Sequence, residues 1–474
     1  MASHVKPGST GAIQEQTPRF ARLHRKIAAI WERSHISRRS EYSVERLLAF
    51  RDYHQRASNA RVIAVCVLTP IPALLVALAI DCIPLKPPSD GWQANYAVWI
   101  RLTVAMFVEV LGVIWHVREV ITTGTISNAG ALTIALCTAV TSVLATIAVA
   151  GAWRFPLPFG YVLMTNLYVL IFSACTILVI DPRVLGASSS LRQQIKSQLF
   201  IIANQGVVAV CYPIFSAVFN RLSAAEQAVF VFVMPLIKFV TKQNIANAAK
   251  NSHEYIAPMV VFSVDLFNVY YVAICMQSAK SMTTTLILIA TDSFFVIISI
   301  RAIYNRANCL QASNKSQDGY LQDLLAVVRK LDNVLVSKAR EDIVRDALQT
   351  LFHSEYILLA EYIEVMVPML YSFYLVVLFH LPVAAYYPHT ASMTAHELQG
   401  AVTTILAYAA VELVSFTTLL ILLWRKFGFS PLYQLAFVLE TQGTSLQGYL
   451  FVWTITTLHL TLAHYGVDFN ISLT

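Results

Sequence analysis

Charge is scarce in this chain of 474 residues: Asp, Glu, Lys and Arg make up only 13% of it, about half the roughly 25% of a soluble domain. Cysteine pattern is missing too. Cys66, Cys82, Cys137, Cys175, Cys211, Cys275 and Cys309 are scattered, mostly inside apolar runs. No CxxC or Cys/His spacing suggests zinc, and no paired framework suggests disulfides. They read as small buried hydrophobes. Walker A, HExxH, GxSxG and selectivity-filter sequences are also absent. No catalytic residue, metal or cofactor is therefore expected, and no enzyme. The alternating ten-residue pattern of an outer-membrane barrel is missing as well. The net charge of +7 comes without a basic-aromatic motif, so it does not point to nucleic acid.

What the chain has is apolar length. Hydrophobic residues are 57% of it, gathered in runs of about 20, the length that crosses a bilayer as a helix. Backbone polar groups in lipid must be satisfied internally, which leaves helices as the solution. The expected fold is all-α: a polytopic helical integral membrane protein of about eleven spans, within a range of nine to eleven. They fall near 62–80, 97–115, 131–151, 158–180, 198–219, 226–241, 256–276, 282–300, 357–379, 399–424 and 445–464.

Basic residues test the count. With the N-terminus inside, 28 of the 34 Lys and Arg fall in inner segments. Only Lys86, Arg154, Arg221 and Lys280 fall outside, and Arg101 and Lys238 lie within spans. That asymmetry fits the positive-inside rule. It predicts a cytosolic N-terminus and an outer C-terminus, in the plasma membrane or an endomembrane. The first span is expected to serve as an uncleaved signal.

Four regions follow. Residues 1–61 form a cytosolic N-terminal region. Within it, 17–34 reads as a basic amphipathic helix, capped by Thr17 with Pro18 behind it. Phe20, Leu23, Ile27, Ile30 and Trp31 share one face. Such a helix suits anionic lipid at the cytosolic face, or the protein's own loops. Residues 62–300 carry spans one to eight. Residues 301–356 form a cytosolic loop in which Leu321, Leu324, Leu325, Val328, Leu331 and Leu335 recur at helical spacing. Residues 357–474 carry the last three spans and a short outer tail. Asn470-Ile471-Ser472 there is a glycosylation sequon, though its closeness to the membrane argues against use.

Ionisable residues inside spans are functional candidates. Asp265, Asp292 and Glu412 lie about ten residues from either end of their spans, roughly 15 Å deep. Glu109 sits nearer the inner end of its span. Glu361 and Glu364 share one face of the ninth span. Lys238, near the inner end of the sixth span, either snorkels to the interface or pairs with one of the acids. The candidate polar site is therefore Asp265, Asp292, Glu412, Glu109, Lys238 and Glu364. The plainer reading of each acid is a satisfied interhelical hydrogen bond.

The phrases "YSVERLLAF" (42–50), "CIPLKPPSDGWQANYAVWIR" (82–101), "FVMPLIKFV" (232–240), "CMQSAKSMTTTLILIATD" (275–292), "SPLYQLAFVLETQ" (430–442) and "HYGVDF" (464–469) resemble a large family of oomycete multi-pass transmembrane proteins. The resemblance spans nearly the whole chain. It brings no established activity, so it implies no catalytic residues. It places Lys238 and Asp292 inside recurring phrases, and 313–319 in a variable polar insert. The expected function is a transporter or channel with an acidic intramembrane cavity for an ion or small molecule. The alternative is a receptor or scaffold signalling through its cytosolic loop.

Overall fold

The computed structural model describes residues 42–121, 126–180, 182–230, 232–249, 255–278 and 338–466, with single positions at 290, 294, 297, 298 and 301. Every regular element among them is helical. Eight helical stretches are long and apolar enough to cross a membrane, so the chain is an all-α polytopic membrane protein. The 17–34 helix, Asp292, the expected span at 282–300, most of the 301–356 loop and Asn470 lie outside the described residues.

Caps written in the sequence start many of these helices. Ser43 accepts from the Arg46 amide at 3.1 Å and opens α1, Val44–Arg56. Ser58 opens α2, Asn59–Leu68, in the same way. A short break precedes α3, Ile71–Asp81, which carries Pro72 in its first turn, where a missing N–H costs nothing. Then come α4, Tyr96–Val120; α5, Asn128–Ala152; α6, Gly160–Val179; and α7, Ser189–Arg221. Ser127 and Ser188 cap α5 and α7.

The expected span at 226–241 differs from what forms. Ala224–Phe230 is a separate short helix, and α8 runs Val233–Ala248. Pro235 is the reason: it cannot bond the carbonyl four residues back, so it belongs in a first turn rather than mid-span. The next helix, α9, spans 256–278 and contains a π turn over Val261–Asp265. After it, α10 runs unbroken over Lys338–Phe379, through the boundary expected at 356/357. Its 42 residues reach about 63 Å at 1.5 Å each. Thr394 and Glu397 form a reciprocal capping box at the head of α11, Ala395–Phe427. Gly428, at φ 68°, ends it in the left-handed region that favours glycine. Two more helices close the chain: α12, Pro431–Thr441, and α13, Gly443–His459.

The bundle is built around α9. Its stretch Ile256–Ile274 is wholly buried, enclosed by α7, α8, α10, α11 and α13. By contrast α6 is peripheral: only 11% of its apolar window is buried, and Leu178 is 80% exposed. Large apolar side chains left bare on so many helices are expected of a surface that meets lipid. Contacts also pair helix ends that the charge rule puts on one side. Arg61 meets Glu440, and the Ser445 amide meets Glu119 Oε1 at 3.2 Å. At the opposite end His464 Nε2 meets the Lys86 carbonyl at 2.8 Å.

Candidate functional site

Asp265 is the last residue of the π turn and is fully buried. The extra residue of a π turn widens a helix locally, and such turns often sit at functional sites. Two lysines reach Asp265 from α8. Lys242 Nζ lies 2.7 Å from Oδ2, and Lys238 Nζ lies 3.2 Å from Oδ1. Their spacing of four residues puts both on one face of α8. Lys238 also lies 3.3 Å from Glu364 Oε1 on α10. Lys242 stands 5.4 Å from the Tyr356 ring centre, where the ring's electrons favour a cation. Pairing, not snorkelling, is thus what the geometry gives Lys238.

Glu364 leads to a second group. Carboxylate oxygens of Glu361, Glu364 and Glu412 all lie within 4.8 Å of one another, and all three side chains are buried. Like charges this close stay together cheaply only with a proton, an ammonium group or a cation among them. Three carboxylate oxygens would suit a hard cation. No metal is expected from the sequence, in which Glu361 and Glu364 share one face of the ninth span; only folding brings Glu412 to them. The site therefore joins α8, α9, α10 and α11 through five ionisable residues plus Lys242.

Glu109 is elsewhere. Its Oε1 accepts from the Thr456 hydroxyl at 3.0 Å, and it lines a cavity of about 130 Å³ between α4, α5, α6, α7 and α13. Lys238, Asp265, Glu364 and Glu412 are not among the residues that line it. Glu109 thus stands apart from Lys238, Asp265, Glu364 and Glu412, the other described members of the expected polar site.

Two further networks carry charges that the sequence did not single out as site residues. Arg101 and Asp81 form an ion pair with no exposed side-chain surface. Tyr387 donates to Asp81 Oδ1 at 2.8 Å, Tyr374 donates to Oδ2 at 2.8 Å, and His459 Nε2 lies 3.4 Å from Oδ2. Arg101 is visible in the sequence as a charge inside a span, whereas Asp81 falls just past the first expected span, 62–80. At the opposite end of the bundle, Arg46 bonds Glu355 at 2.8 Å, Tyr42 donates to the same carboxylate, and Gln434 Nε2 reaches the Tyr42 hydroxyl at 3.2 Å. Burial and the neighbouring Glu355 push the Tyr42 phenol well above its ordinary value.

No family model, curated protein or solved structure matches this chain. Its chemistry is read from the geometry alone. Lysines and carboxylates brought together inside a helical bundle can exchange protons, hold a cation, or swap partners between Asp265 and Glu364.

Proposed function

We propose that this chain is a membrane transporter or channel coupled to protons or a small cation, with Lys238, Asp265 and Glu364 at its centre and Glu361 and Glu412 beside them. The observation that carries the reading is Lys238 shared between Asp265 and Glu364 at 3.2 and 3.3 Å. A cation placed at Glu364 competes with Lys238 for the carboxylate, and a displaced Lys238 still has Asp265. That is a two-state arrangement of the kind a carrier needs. The positive-inside asymmetry orients the protein with its N-terminus in the cytosol, and anionic lipid at that face is the expected partner of 17–34.

The test is flux. The purified chain is reconstituted in liposomes holding a pH-sensitive dye, and proton, sodium and potassium gradients are applied in turn. At least one gradient should dissipate faster than in empty liposomes. Asp265→Asn and Glu364→Gln should each slow that flux by about tenfold or more, the effect of raising its barrier by about 1.4 kcal/mol, because each removes a carboxylate that Lys238 or the cation would use. Flux indifferent to both changes, or none above empty liposomes, would reject the proposal. The second reading, a receptor or scaffold, draws on the Arg46–Glu355 tie, which fastens α1, a helix of the N-terminal region, to α10.

A further inference from the structure

The cavity beside Glu109 is a built pocket distinct from the lysine–carboxylate cluster. Apolar and aromatic side chains make most of its wall, including Trp99, Tyr161, Tyr168 and Trp453. Among the described residues, Glu109 is the one carboxylate in the cavity's lining, and no Lys or Arg is in that lining. Its carboxylate accepts from Thr456. The two lining histidines are turned to other groups: His459 to Asp81 and His464 to the Lys86 carbonyl. A mostly apolar pocket with a few convergent polar groups is the usual form of a small-molecule site.

We infer that this cavity binds a compact lipophilic monoamine in its protonated form, with the ammonium on Glu109 and the apolar body against the aromatic wall. Charge sets the choice. A carboxylate in apolar surroundings is costly unless something positive or a proton joins it, and an ammonium–carboxylate hydrogen bond is among the strong ones. Aromatic rings add attraction for the same cation. Size sets the rest. The cavity's 130 Å³ is close to the roughly 150 Å³ of an apolar protein cavity that takes up benzene. A ligand of one ring and a short amine fits that space, whereas a long acyl tail would fill it without using Glu109.

Equilibrium dialysis of radiolabelled benzylamine against the purified full chain in nanodiscs tests this, with benzyl alcohol as the neutral match and empty nanodiscs as the blank. The amine should bind about tenfold tighter than the alcohol, and Glu109→Gln should bring the two to parity. Gly206→Leu, which places a side chain in the cavity wall, should weaken both. If the alcohol binds wild-type protein as well as the amine does, or if neither binds above empty nanodiscs, the inference falls. It also falls if a long-chain alcohol displaces the probe while Glu109→Gln leaves the amine preference intact. Should Glu109→Gln fail to fold, the wild-type comparison and Gly206→Leu still decide. The result is independent of the flux test, because the lysine–carboxylate cluster does not line this cavity.

Discussion

Arg46 and Glu355 are 309 residues apart in sequence and 2.8 Å apart in space. Their side chains are 7% and 1% exposed, so each is costly without the other. Arg46→Met should therefore destabilise the chain by about 3–5 kcal/mol, because it strands a buried carboxylate. Tyr42→Phe should cost only about 1–2 kcal/mol, since Arg46 still satisfies Glu355. Thermal unfolding in detergent of Arg46→Met, Glu355→Gln and the pair measures the coupling. Strict additivity would show that the two do not depend on each other. At this scale the sequence told only part of the story. Asp265 and Lys238 stood out because each interrupts an apolar run. Arg46 and Glu355 did not, because both sit in stretches that looked like solvated inner segments. Lys242 falls one residue past the span expected at 226–241 and so looks like a loop charge, whereas α8 extends past it to Ala248. Such pairs depend on which helices become neighbours, and periodicity within one helix does not encode that.

Among the elements, α4 and α13 approach most tightly where Gly112 meets Gly448. A Cβ on Gly112 would stand 2.6 Å from the Gly448 carbonyl oxygen, and one on Gly448 would stand 2.3 Å from that of Gly112. Backbone cannot give way as a side chain does, so the helices would have to separate. Small residues at such crossings are how membrane helices gain close packing. Just beyond it, His116 stacks on Tyr449 with ring centres 4.3 Å apart. Gly112→Ala should lower stability by about 1–3 kcal/mol through overpacking. Gly400→Ala on α11, where a Cβ meets nothing within 4 Å, should raise it by about 0.5–1 kcal/mol through helix propensity. Melting temperatures moving the same way for both would refute this account. Hydropathy located α4 and α13 but not their crossing, because a glycine in a membrane helix carries no mark of what lies across from it. The last span, expected at 445–464, is helical only over Gly443–His459, with its end turned by a short 3-10 segment at Ala463–Tyr465.

For the whole molecule, the apolar runs translated well: eight of the expected spans appear as membrane-length helices. The order of burial among them is not legible from apolarity alone: α6 is the more apolar of α6 and α9 in sequence, and nothing within either helix says which one its neighbours enclose. Their surroundings differ entirely, at 11% and 100% buried. A diazirine-bearing lipid should therefore label α6 heavily and 256–274 hardly at all, read by peptide mass mapping. Equal labelling of the two would mean that α9 is not the centre of the bundle. That central position also bears on biosynthesis. A helix with an aspartate at its middle enters a bilayer poorly by itself, at about 2.5–3.5 kcal/mol for the acid. Lys238 and Lys242 leave the ribosome before Asp265, while Glu364 follows roughly a hundred residues later. The α8–α9 hairpin can enter lipid as a charge-compensated unit, with Lys242 serving as a built-in escort for Asp265 until the later helices enclose them.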